Sequence, residues 1–590
     1  MNKLFVFVFL FAFTTDCFSQ APKTFTQEDW DKLSQPAKDS INKELLKKFE
    51  AAKKEAENQD EINANQVIND ALKNASGTTV VTLTSYPKTK LSDDIVQLKN
   101  LEEFTCTKCR ALDLIALFDQ LGQLKKLKKV NISGGAFKQL PNGIKKLNSL
   151  QELNLKDNNF AALPDSFTQL KNLKVLNLEH NAYLYDDDVF EKIKTLNVED
   201  LNFSASGLLE LNDKVGQVKS LKKLDLSIND IKVLPPSFTQ LTNLQQLNLS
   251  QNFNMNVQQI VTSISVLTGI TDLDLSQCLI QILPLEISKL TLLRKLNLKG
   301  NQLTALPLTF GSLTNIEYLD LGYLEMGTRM NKITDLGPTF GSLKKLKYLN
   351  LAGNQLLALP EGFENLTELE ELNLNLNKLS GFPLVVTRLT KLKLLDLGLN
   401  SGTSMPNAIG SLTQLEYLNL DGNFFNKPDK KISVLPAEIC QLKNLRVLSL
   451  KDNVIEVIPD CIGNLGKLEK LDLRDNLVTG FPVTFSQLKN LQWLDLKAND
   501  FTQLPADFQN LNSLKELNLS MNPKMNFAAE KGKFSSMKQL EFLDLSYNNI
   551  DKEQIEPLRT ALPNAKVVNW DYSKKPLPPP TQQRNAPQRK

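Results

Sequence analysis

One pattern recurs with small variations almost to the C-terminus: Leu-x-x-Leu-x-Leu-x-x-Asn, then Leu-Pro, an aromatic residue or Ile, and two more spaced Leu. Nineteen copies open between Leu101 and Leu540, as at Leu150 and Leu173, and a degenerate copy opens at Thr78, making twenty. Most steps are 23 residues. A unit this short cannot enclose a core, so each copy must bury its apolar side against the copies before and after it. The chain therefore reads as an α/β solenoid whose 590 residues count stacked units and not separate globular domains.

Each framework position has a physical role. In Leu150-x-x-Leu153-x-Leu155 the alternation predicts a short strand with Leu inward and Glu152, Asn154 and Lys156 outward. Stacked strands give one parallel sheet, and twenty of them at about 4.8 Å spacing trace a concave surface on the order of 95 Å long. Asn recurs after the strand, as at Asn158, Asn181, Asn377 and Asn476, where an inward amide can satisfy backbone groups that a buried bend leaves unpaired. The Pro of Leu163-Pro164 or Leu359-Pro360 fixes the backbone on the far side. Phe118, Phe167, Phe238, Phe310, Phe340, Phe363, Phe485 and Phe508 are then expected to stack as a spine.

The pattern resembles leucine-rich-repeat proteins of the 23-residue Leu-Pro-x-x-Phe type, found in secreted bacterial proteins and in Ras-group and disease-resistance-like repeats. The resemblance covers residues 78 to about 570. It implies a horseshoe with a concave parallel sheet of about twenty repeats, which binds partners, usually proteins, through that sheet and its flanking loops and catalyses nothing itself. Such a motif specifies a fold and leaves the partner open.

Outside the repeats, residues 1–19 read as an export signal: Lys3, the apolar run Leu4 to Phe13, and small residues before a cleavage after Ser19. Asp16 disfavours Cys17 as a lipid anchor, which leaves the exported protein secreted, periplasmic or on the cell surface. Residues 20–77 are expected to form a helical N-terminal region, with Ile62, Val67, Ile68, Ala71 and Leu72 on one capping face. Leu558, Leu562, Val567, Val568 and Trp570 should close the other end. The segment 571–590 is a basic, Pro-rich tail expected to be disordered. No later stretch is uniformly apolar, so no transmembrane segment is expected. Lys plus Arg total 69 against 66 Asp plus Glu, an excess of three, while the tail alone carries five basic residues; nothing there points to nucleic acid.

Chemistry finds little material. The single histidine, His180, precedes Asn181, so a general base, a zinc site and a Ser-His-Asp arrangement all lack residues, and no enzymatic activity, cofactor or metal is expected. Cys106 and Cys109 look like a redox or metal pair, yet they stand where the third Leu and the Asn belong, and framework filling is the expected reading. Cys278 also takes the Asn position. Without Cys17 five cysteines remain, an odd number that argues against a disulfide-stapled scaffold. Asp186, Asp187 and Asp188 are expected to cap a helix running from Val189, and Gly463 to Lys467 is framework, not a phosphate loop.

Function should reside where side chains vary over a fixed framework. The third column is mostly charged early, as at Glu103, Glu152 and Lys223, and turns aromatic or aliphatic after Ile316: Tyr318, Tyr348, Leu394, Tyr417 and Trp493. With Tyr323, Leu376, Asp396 and Leu399 it outlines a candidate partner-binding face. The competing reading is that these aromatics only pack against each other along the sheet. Two units of 30 residues should add loops beside the stripe, roughly 20 Å apart, carrying Arg329, Lys332, Lys427, Lys430 and Lys431. The expected partner is a protein of unknown identity, with an envelope scaffold or a glycan-binding adhesin as alternatives.

Overall fold

The computed structural model describes residues 55, 59–323, 330–400, 405–422 and 432–570. The segment read as an export signal (1–19), most of the expected N-terminal helical region before residue 59, the tail at 571–590, and Arg329, Lys427, Lys430 and Lys431 lie outside the described residues. Two compact units are distinguished, Met1–Leu127 with Asn131–Gly135, and Lys128–Val130 with Ala136–Lys590. Twenty-one strands, β1 to β21 in chain order, run through the described residues.

In the first unit, β1 (Val80–Thr84) and β2 (Glu103–Thr107) pair in parallel, Val81 opposite Phe104 and Leu83 opposite Cys106. A helix at 59–73 precedes them. It buries Ala64 and Ile68, whereas Ile62 is 59% exposed and Val67 is exposed too. The inward face thus follows Ala64, Ile68, Ala71 and Leu72 at helical spacing, and Ile62 and Val67 do not belong to it. Cys106 and Cys109 are buried framework residues as expected, but they are also bonded to each other, Cα atoms 5.8 Å apart.

In the second unit, every strand from β4 (Glu152–Asn154) to β21 (Lys566–Val568) pairs in parallel with the next. The inward Leu of successive strands are opposite one another, as in Leu349, Leu372 and Leu395, and all are buried. A one-residue slip would turn this row to water, so the pattern fixes the register. The Asn positions form rungs. Asn377 Nδ2 donates to Leu374 O of its own coil and to Leu351 O of the preceding one, while its Oδ1 accepts from Leu356 N. Across the sheet's far side the Phe spine is buried, with Phe310–Phe340 and Phe340–Phe363 ring centroids 6.5 and 6.1 Å apart and nearly parallel.

Unit length selects the far-side element. Ordinary copies close with a short 3-10 turn such as Asp165–Gln169. The copies opening at Leu173, Leu244 and Leu514, which are 25 or 26 residues long, instead hold α-helices at Asp186–Ile193, Val257–Ile264 and Phe527–Ser536. Two or three extra residues suffice to convert a 3-10 turn into an α-helix, which rises less per residue. The 30-residue copy opening at Ile316 keeps its 3-10 turn, Phe340–Ser342, and places its extra residues before the rung. Asn331 is its rung, donating to Leu298 O and Leu321 O and accepting from Leu303 N.

At the C-terminal end, the helix Lys552–Ala561 and β21 cover the last copy. Leu558, Leu562 and Val567 are buried as expected of a cap, but Trp570 is 61% exposed and stands outside it.

Candidate binding face

The aromatic column lies on the outward side of eight consecutive strands. These are β11 (Tyr318–Asp320), β12 (Tyr348–Asn350), β13 (Glu371–Asn373), β14 (Leu394–Asp396), β15 (Tyr417–Asn419), β16 (Val447–Ser449), β17 (Lys470–Asp472) and β18 (Trp493–Asp495). Register sets Tyr318, Tyr348, Glu371, Leu394, Tyr417, Val447, Lys470 and Trp493 side by side. A second row, Asp320, Asn350, Asn373, Asp396, Asn419, Ser449, Asp472 and Asp495, runs parallel to it.

Tyr318, Tyr348, Leu394, Tyr417 and Trp493 are half-buried, not exposed, while Leu349, Leu418 and Leu494 behind them are buried. Part of the cause is mutual packing: the Tyr318 and Tyr348 rings stack at 4.3 Å with planes 6° apart. Tyr417 stands between Leu394 and Val447, and the Arg474 guanidinium lies 6.0 Å from the Trp493 ring centre, a cation–π distance. Packing along the sheet and presentation to solvent therefore coexist. Tyr323, Leu376 and Leu399 border the stripe and are half-buried; Leu376 and Leu399 each hold a φ of 54°, which branched side chains adopt at a cost. Lys332 is exposed, its amide bonded to Leu303 O.

The second row is the feature that hydropathy did not reveal. Asp320 and Asp495 are each 4% exposed. Burial pushes the carboxyl groups of Asp320, Asp396 and Asp421 above the ordinary range, and that of Asp495 to about 6. Neutral donors hold the first three. Gly322 N and Asn350 Nδ2 reach Asp320; Gly398 N and Asn375 Nδ2 reach Asp396; Ser449 Oγ and Lys451 N reach Asp421. Arg474 grips Asp472 through Nε and Nη2 and stands 3.5 Å from Asp495. Burial, with help from Asp396 and Asp421, also pushes the Tyr417 hydroxyl up to about 12.

Elsewhere, reactive-looking residues serve the framework. The helix near the Asp triplet begins at Asp186 and not Val189, so the three carboxylates occupy its first turn. They bridge coils: Asp188 accepts from Leu163 N, Asp186 from Asn212 N, and Asp187 pairs with Lys214 at 2.7 Å. His180 Nδ1 is 2.8 Å from Asp157 Oδ1. Cys278 takes a rung position, its Sγ donating to Leu249 O and Ser276 O, and burial raises its thiol to about 12. Cys440 and Cys461, on adjacent coils, form a second disulfide. Two bonded pairs correct the expectation against disulfide staples, while Cys278 is left unpaired, as an odd set of five requires. Among the described residues no group of three or more His, Cys, Asp or Glu could hold a metal ion, and no helix is long and apolar enough to cross a membrane.

The model of a leucine-rich repeat region matches residues 338–435 and 427–569, and that of a leucine rich repeat matches 125–182. The fold is a leucine-rich-repeat solenoid. A leucine-rich-repeat protein of Leptospira interrogans is similar at 29% identity and a TM-score of 0.54, over 77% of this chain and 98% of that one. The leucine-rich-repeat ectodomain of the Arabidopsis receptor kinase HAESA, solved with a peptide hormone ligand, is similar at 25% identity and a TM-score of 0.53, over 76% and 75%. TLR13 in complex with ssRNA13 shares the fold at 22% identity and a TM-score of 0.58, over 84% and 75%. No curated protein matches the chain in sequence.

Proposed function

We propose that this chain is an exported, non-enzymatic binding protein that recognises a protein partner through the outward face of β11 to β18. The observation that carries the reading is the row of half-buried aromatic and aliphatic side chains standing on a rigid, fully buried Leu framework. Such side chains lose little conformational freedom on docking and concentrate binding energy. The peptide hormone bound to the HAESA ectodomain is in keeping with it. Two disulfides favour folding in an oxidising compartment, in accord with the apolar N-terminal run. A glycan is the weaker reading, because the Tyr318 and Tyr348 rings already cover one another's faces.

The test is affinity capture with the mature protein, comparing Tyr348→Ser/Tyr417→Ser/Trp493→Ser with Glu103→Ser/Glu152→Ser/Lys223→Ser. The aromatic set is expected to abolish capture and to lower stability only by the lost stacking, about 0.5–1.5 kcal/mol. The early set is expected to leave capture intact. The reverse ranking, a cooperative loss of folding from the aromatic set, or loss of capture after polysaccharide digestion of the retained material would overturn the reading.

A further inference from the structure

Charge is distributed unevenly along the sheet face. In β16 to β18, the two strand positions and the next outward residue hold two acids, Asp472 and Asp495, against four cations, Lys451, Lys470, Arg474 and Lys497. In β7 (Lys223–Asp225) to β10 (Lys295–Asn297), Asp225, Asp272 and Asp274 are matched by Lys223, Lys295 and Lys299. The fifteen equivalent positions of β11 to β15 hold Asp320, Glu371, Asp396 and Asp421, with no Lys, Arg or His. The hydrogen-bond donors that reach Asp320, Asp396 and Asp421 are neutral; among the described residues Lys299 and Lys451 favour the charged forms of Asp320 and Asp421 only through space, so a cation brought by a partner can still bond to these carboxylates directly. The same stretch carries Tyr318, Tyr348, Leu394 and Tyr417. In the next outward row Gly322, Ala352 and Gly398 add no more than a methyl group, so side-chain amides form the floor: a Cβ on Gly398 would fall 2.7 Å from Asn375 Nδ2.

We propose that the face of β11 to β15 binds an extended peptide segment bearing Lys or Arg, with a cationic side chain over Asp396 and Asp421 beside the Tyr417 ring. This rests on the protein-binding reading above and specifies the partner's chemistry. An ammonium or guanidinium there gains a charge-assisted hydrogen bond and a ring face together. A phosphate backbone would meet four acids and be repelled, so the ligand of TLR13 is a poor guide to this face. Five strands span about 19 Å, which is about six residues of extended chain.

The test is selection of a randomised displayed hexapeptide library on the immobilised full chain, repeated with Asp396→Asn/Asp421→Asn, with the exposed Glu371→Gln, and with Tyr348→Ser/Tyr417→Ser. The selected pool is expected to be enriched in Lys and Arg and depleted in Asp and Glu. A selected peptide should bind the Asp396→Asn/Asp421→Asn variant about tenfold more weakly. Its affinity for the unaltered chain should fall as salt is raised, a measurement that does not depend on any variant folding. Peptides that bind through Tyr348 and Tyr417 but lack cations, or whose affinity ignores both salt and the Asp substitutions, would overturn the charge assignment and leave the binding face standing. A pool no different from the input library, or one indifferent to the Tyr substitutions, would overturn both.

Discussion

At the scale of single residues, two kinds of buried polar group do opposite things. The rung asparagines satisfy backbone atoms of two coils at once, so Asn476→Ala orphans the carbonyls of Leu450 and Leu473 and the amide of Ile455. The expected loss is about 2–4 kcal/mol, read from a denaturant midpoint; a loss below that of an ordinary surface substitution would mean that water replaces the amide. Asp495 is the opposite case, a carboxylate held where burial disfavours its charge. Its folded value near 6 exceeds the ordinary 3.8. Between those values the folded chain holds the proton more tightly than the unfolded one, so stability should fall as pH rises from about 4 to about 6. Asp495→Asn, which keeps an acceptor for Lys497 N, should flatten that dependence in midpoints measured at both ends of the window. The rungs were legible in the sequence because one residue type recurs at one spacing. The acid row was not, because outward polar residues on a strand are the ordinary state of a solvated sheet, and only the packing of neighbouring side chains in the folded chain shows that Asp320 and Asp495 are covered.

At the scale of elements, the strand positions followed directly from the 23-residue period, and the Tyr318, Tyr348, Tyr417 and Trp493 column fell on strand starts as expected. The far-side elements did not, since a 3-10 turn and an α-helix share the same Phe or Ile anchor and differ only in the residues available to wind. Both disulfides escaped the reading for related reasons. Cys106 and Cys109 occupy apolar framework positions, and the pairing of Cys440 with Cys461 depends on which residues of adjacent coils face each other. Alkylation of the denatured, unreduced mature protein is expected to label Cys278 alone, which intact mass will count. Opening Cys440–Cys461 by Cys→Ser at both positions should cost about 3 kcal/mol, as for any loop of that size. Leu374, fully buried between coils, tests the stacking itself: Leu374→Ala should cost about 2–5 kcal/mol. Faster hydrogen exchange should appear in the coils on either side, and damage confined to remote coils would contradict nearest-neighbour stacking.

At the scale of the whole molecule, a ladder of parallel strands has no long-range closure to protect, so each stretch of the face can carry its own charge and hydropathy. That is how an acidic, aromatic stretch at β11 to β15 adjoins a cation-rich one at β16 to β18 without any change in the framework beneath them. Asn331 carries this further. It occupies its rung ten residues after Leu321, where other copies allow three, and the backbone bonds that follow the rung, Lys332 N to Leu303 O and Gln355 N to Ile333 O, are those of an ordinary copy. The strand-to-rung interval is thus a natural graft point. Foreign sequence spliced between Leu321 and Asn331 would leave the spine undisturbed, and a lineage could acquire new specificities there by changing the length of a loop while the scaffold stays under constant selection.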